Sequence, residues 1–88
     1  MFRIWGKLFK DTRMINDIVI ENDKDDSRTH KVFDALDEIC SHFNISHPIW
    51  LDTNVKDFQK FSIVRFYQDN FIETVEFDYL ELRMIEED

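Results

Sequence analysis

The chain is 88 residues long, 43% hydrophobic, with nine Phe, two Trp, two Tyr, one Cys and a formal net charge of −8. A chain of this size buries only about 60% of the surface it exposes when unfolded, which excludes a two-domain enzyme with separate cofactor and substrate halves. The apolar content excludes disorder, and a lone cysteine excludes both an internal disulfide framework and a multi-cysteine zinc site.

The charge is unevenly spread: residues 1–20 sum to +2 and residues 21–88 to −10. Such a field disfavours nucleic-acid backbones and anionic membrane surfaces, both of which require clustered Lys and Arg. The first ten residues contain Arg3 and Lys7 among their apolar side chains, and no apolar run approaches the length of a signal core or a membrane span. The expectation is a cytoplasmic protein that binds neither nucleic acid nor membrane.

Residues 2–9 alternate, with Phe2, Ile4 and Leu8 on one face and Arg3, Trp5, Lys7 and Phe9 on the other. A period of two predicts a strand. Lys10-Asp11-Thr12-Arg13 is the predicted turn, and Met14 to Ile20, rich in β-branched residues, the second strand. Its faces are expected to hold Met14, Ile18 and Ile20 on one side, Ile15 and Val19 on the other. A polar loop, residues 21–27, ends in good helix-capping residues. Val32, Phe33, Leu36, Ile39, Cys40 and Phe43 then form one apolar stripe, the mark of an amphipathic helix, with Asn44 as its stop.

Ser46 to Leu51 is predicted to be extended, because His47 precedes Pro48. Asp52-Thr53-Asn54 can cap a short helix carrying Val55, Phe58 and Phe61. Ser62 to Tyr67 reads as the third strand, Gln68-Asp69-Asn70 as a turn, and Phe71 to Thr74 as one helical turn. The last strand is expected to be the longest, with Leu80, Leu82 and Met84 facing one way and Phe77, Tyr79 and Ile85 the other. The order β-β-α-(α)-β-β predicts a single α+β domain over residues 1–88, its four-stranded sheet mainly antiparallel and one main helix packed on one face.

Motifs for catalysis or ligand binding are sparse. His30, Asp34, Glu38 and His42 recur at four-residue steps along the main helix. Each step drifts about 40° around the axis, so His30 with Asp34, or Glu38 with His42, could hold half a metal site and no more. A solvated helix face is the simpler account. Cys40, His42 and His47 form a second conceivable set, but Cys40 lies on the apolar stripe, where a free thiol packs as a small hydrophobe. Asp23 to Ser27 alternates oxygen ligands as a calcium loop would, yet Arg28 stands where such a loop needs glycine. The only glycine is Gly6, so there is no phosphate-binding loop, and no cofactor is expected.

The informative feature is that the strands carry large apolar residues on both faces. One helix covers one face of a sheet. The other face would present Trp5, Phe9, Val19, Phe77, Tyr79 and Ile85 among Arg3, Lys7, Glu81 and Arg83. It requires a cover: the 45–61 segment, a second copy in a homodimer, or another protein.

The strings Trp5-Gly6-Lys7, Arg28-Thr29-His30-Lys31-Val32-Phe33, Pro48-Ile49-Trp50-Leu51 and Phe77-Asp78-Tyr79-Leu80-Glu81 span nearly the whole chain. Together they resemble a family of short, conserved hypothetical bacterial proteins. The resemblance implies a free-standing cytoplasmic bacterial protein and assigns no activity to any residue.

The sequence thus predicts a small non-enzymatic protein-interaction domain acting through Trp5, Phe9, Val19, Phe77, Tyr79 and Ile85. The alternative is an acidic nucleic-acid mimic that occupies a basic protein, motivated by residues 69–88, which carry eight acids and one base. A third reading is metal binding at His30, Asp34, Glu38 and His42.

Overall fold

A computed structural model describes residues 1–87. Its elements follow the order β1 (Phe2–Lys10), β2 (Arg13–Asn22), α1 (Arg28–Phe43), α2 (Asp52–Phe61), β3 (Ile63–Phe66), a 3-10 turn (Gln68–Asn70) and β4 (Tyr79–Glu86). The four strands form one antiparallel sheet in the order β2-β1-β4-β3. This is the α+β domain with a four-stranded antiparallel sheet that the sequence predicts.

The β1–β2 hairpin turns on Asp11 and Thr12, both in the left-handed region at φ 53° and 65°. Two consecutive positive φ values match the right-handed twist of a two-residue hairpin, a geometry that glycine or asparagine adopts more cheaply than Thr12. Just beyond the turn the ladder slips by one residue, so Leu8 pairs with Asn16 while Phe9 pairs with Met14. Ile15 is the extra residue of a β-bulge. This corrects the expected faces of β2: the slip puts Met14 opposite Phe9, and Ile15 lines a cavity with Leu8, Phe43 and Ile45.

Helix α1 begins where Ser27 accepts a hydrogen bond from the His30 backbone N–H at 3.2 Å. It ends at Asn44, whose φ of 56° lets its own N–H and that of Ile45 return to the Ser41 and Cys40 carbonyls. Its buried stripe of Val32, Ala35, Leu36, Ile39 and Cys40 meets Phe2, Ile4, Leu8, Ile20, Leu80 and Leu82 from the sheet. Gly6 lies directly beneath Ile39, where any larger residue would meet the Ile39 side chain.

Helix α2 is capped one residue earlier than expected. Leu51 is the N-cap, and Asn54 reaches back to accept its N–H at 2.9 Å. Asn54 Oδ1 also accepts from Asn70 Nδ2 at 2.7 Å, and Asn70 Nδ2 donates to the Ile49 carbonyl at 2.8 Å. These two buried amides tie the 45–51 segment, α2 and the 3-10 turn together. Trp50 from that segment sits edge-on to Phe33, Phe58 and Phe66. The 45–61 stretch therefore packs on the same side as α1.

Two further expectations are corrected. The last strand, with eight residues, is shorter than β1 with nine and β2 with ten. The helical turn expected at Phe71 to Thr74 forms instead at Gln68–Asn70, because the Asn70 carboxamide accepts the Tyr67 N–H and closes the turn there. Among the described residues, no helix is long and apolar enough to cross a membrane.

Candidate interaction face

With both helices on one side, the opposite sheet face has no described element packed across it. Cross-strand partners project to the same face, so the register orders the side chains of this rear surface into rows. One row runs Glu21, Arg3, Glu86; the next Val19, Trp5, Arg83, Ile63; the third Asp17, Lys7, Glu81, Arg65; the last Met14, Phe9, Tyr79.

The third row alternates in sign across the sheet and is anchored on Glu81, which is 2% exposed. Lys7 Nζ lies 3.1 Å from Glu81 Oε2, Arg65 Nε donates to Oε1 at 3.0 Å, and Arg83 Nε stands 4.0 Å away. The long stems of these neighbours lie over the carboxylate and exclude water from it. Burial pushes the Glu81 carboxyl up, but the hydrogen bonds and charges of Lys7 and Arg65 outweigh it and hold the group below the ordinary glutamate range. Lys7 Nζ also sits 3.8 Å over the Trp5 ring, and Trp5 Nε1 donates to Asp17 Oδ2 at 2.9 Å. Trp5 is thereby fixed by a cation on its face and an acceptor at its edge.

The last row is aromatic. Phe9 stacks on Tyr79 at 4.8 Å, Tyr67 lies 5.4 Å from Tyr79, and the Arg65 guanidinium covers Tyr79 at 5.0 Å. Met14, Val19 and Tyr67 are exposed, and Trp5, Phe9, Ile63 and Tyr79 are half-buried.

Of the six contact residues expected from sequence, the structure brings Trp5, Phe9, Val19 and Tyr79 onto this face. Ile85 is exposed near the end of β4, beside the irregularity between Arg3 and Ile4. Phe77 does not join them. It precedes β4, stands edge-on to Phe71 at 5.4 Å and packs against the core, because the 71–78 loop folds under the helix side. Ile63 and Tyr67 belong to the surface and were missed; extending the strand alternation through Ser62 to Tyr67 would have found both.

The metal set is dispersed along α1. His30 Nδ1 lies 3.0 Å from Asp26 Oδ1, outside the set, and His42 packs against Phe43. The Ser27 backbone N–H and His30 hold the Asp26 carboxyl below its usual range. Among the described residues, no three His, Cys, Asp or Glu side chains come together as a metal site. Cys40 is buried, and burial with the nearby Asp37 charge pushes its thiol up to about 11. Such a thiol is a poor nucleophile.

Three of the C-terminal acids are paired within the molecule. Glu81 is enclosed by three cations, Glu86 pairs with Arg3 and the N-terminal amine, and Glu87 pairs with Arg28. Comparison of the chain with protein families, curated proteins and solved structures gives no match.

Proposed function

We propose that this chain is a small, non-enzymatic protein-interaction domain whose rear sheet face docks a second copy of itself. The carrying observation is the charge balance of that face. Arg3, Lys7, Arg65 and Arg83 offset Asp17, Glu21, Glu81 and Glu86, so the formal charge of −8 lies wholly on the remainder of the chain. Two acidic molecules repel overall, and this neutral, partly aromatic patch contributes nothing to that net repulsion.

With strands spaced about 4.8 Å and rising about 3.3 Å per residue, the ordered rows cover roughly 20 × 20 Å. Stable interfaces bury about 800 Å² per partner, so the contact belongs at the small, transient end of the scale. The ion pairs of the third row are already satisfied within one molecule and contribute shape and neutrality. Phe9, Tyr67, Tyr79 and Met14 supply the apolar burial.

The proposal extends to a free-standing cytoplasmic bacterial protein, as the resemblance of the four strings implies. The acidic-mimic alternative relies on residues 69–88, three of whose eight acids, Glu81, Glu86 and Glu87, are paired within the molecule.

Size-exclusion chromatography with light scattering tests the reading. Average mass should rise with concentration into the high micromolar range, and Phe9→Ser should abolish the rise while leaving the circular dichroism spectrum intact. A mass equal to one chain throughout, unchanged in the variant, would refute self-association.

A further inference from the structure

The outer edge of β2 is a second surface, distinct from the rear face. Phe9 O accepts from the Asp78 N–H at 2.8 Å, so the Phe9 backbone groups point toward β4. Along an antiparallel strand these groups alternate in direction, so those of Lys7 and Trp5 also face β4, while Ile4 and Gly6 face β2. Their partners Ile20 and Ile18 consequently turn inward, and the N–H and C=O groups of Asp17, Val19 and Glu21 turn outward from the sheet. The Asp17 N–H donates to the neighbouring Asn16 carboxamide at 2.9 Å, as expected of a group outside the ladder. The opposite edge differs. β3 has four residues, and its Arg65 carbonyl already accepts from Asn54 Nδ2.

A strand edge with free backbone groups templates another strand. Its surroundings indicate which kind. Along the angle between β2 and α1 run two shallow depressions floored by Ile18 and Ile20 and rimmed by Glu21, Asp23, Asp34, Asp37 and Glu38. Lys24 and His42 also border them, and His47 Nδ1 touches Asp37 Oδ1 at 3.2 Å. On the rear face, the same edge carries Asp17, whose carboxylate accepts from Trp5 Nε1. A second copy added through β2 would set this acidic flank against itself, which opposes self-pairing.

We infer that the β2 edge accepts an extended basic segment of a partner protein as a fifth strand, with its Lys or Arg side chains turned toward the acidic flank of α1. Backbone hydrogen bonds from Val19 and Glu21 would supply sequence-independent affinity. The α1 carboxylates would supply the selectivity for basic sequences.

Fluorescence anisotropy with labelled peptides of about eight residues, a typical strand length, tests this. An alternating Lys–Val peptide should bind, and an alternating Glu–Val peptide should not. Raising salt from 0.1 M to 1 M shortens the screening length from about 10 Å to about 3 Å and should weaken binding at least about tenfold. N-methylation of every second residue should abolish binding in one phase and spare it in the other, since only one set of N–H groups faces β2.

Val19→Pro removes an outward N–H without breaking the β1 ladder, and proline is tolerated at such edge positions. It should lose binding while retaining the native spectrum. If that variant fails to fold, the two N-methylated peptides still decide. Equal binding by both N-methyl phases, equal binding by the Lys and Glu peptides, or no binding of the Lys–Val peptide at millimolar concentration would overturn the inference.

Discussion

Gly6 occupies the centre of β1, and its replacement by alanine is a direct measure of how closely α1 lies on the sheet. A Cβ there would stand 2.7 Å from Ile39 Cγ2, 2.8 Å from Cδ1 and 3.0 Å from Cγ1. Favourable carbon contacts lie at about 3.5–4.0 Å, so the helix or the side chain must retreat by about 0.8 Å or more. Ile39 cannot swing aside easily, because a β-branched residue in a helix has one strongly preferred χ1 rotamer. It is also fully buried, with the core packed around it.

Overpacking of this kind costs about 1–3 kcal/mol. The φ angle of Gly6 is not positive, so alanine fits the backbone and recovers about 0.5–1 kcal/mol of chain entropy. The net expectation is destabilisation by about 1–2 kcal/mol, or a Tm lowered by roughly 4–15 °C at this chain length. Urea unfolding followed by circular dichroism provides the free energy.

A second variant separates the steric cause from any other. Ile39→Ala removes all three clashing atoms and alone should cost about 2–5 kcal/mol. In the Gly6→Ala background it should cost at least about 1 kcal/mol less, since the new methyl fills part of the space it vacates. Additivity within about 0.5 kcal/mol, or a Gly6→Ala protein as stable as the parent, would refute the packing argument.

Three further outcomes are expected. Glu81→Ala should destabilise by about 1–3 kcal/mol, because it leaves the largely buried Lys7 ammonium without its partner while the half-exposed Arg65 returns to water. Since the folded carboxyl titrates below its unfolded value, the parent should hold the ionisation-linked part of this stability above about pH 4.3 and lose that part as pH falls through the depressed folded value. Urea titrations at several pH values should show a flatter acid limb in the variant. Thr12→Gly should stabilise the fold by about 1 kcal/mol, read as a raised Tm, because Thr12 holds φ 65° with a β-branched side chain that resists that region. Cys40 should resist a disulfide exchange reagent at pH 8 and react fully in urea, since its thiol titrates near 11 only while buried.

Chain-local chemistry made much of this protein legible from its sequence. The alternation of β1, the stripe of α1 and the stops at Ser27 and Asn44 each depend on residues within one or two turns, so the element order and most of the buried face of α1 follow from periodicity, although Phe33, expected on that stripe, is exposed and Ala35 is buried in its place. The limits of that reasoning are equally physical. A single-residue bulge at Ile15 reverses which face Met14 serves, and nothing in the local pattern marks it. Asn54 and Asn70 set the α2 cap at Leu51 and the helical turn at Gln68–Asn70 through side chains three residues ahead, while the bond between these amides and the one from Asn70 to Ile49 join segments 16 and 21 residues apart.

That both sheet faces bear apolar side chains is written in the sequence. That α1, α2 and Trp50 all share one of them, leaving the other open, depends on strand order, which brings β1 and β4 side by side from opposite ends of the chain. The same juxtaposition assembles Lys7 and Arg65 around the buried Glu81 carboxylate. None of the three is near another in sequence, and only the antiparallel ladder makes them neighbours.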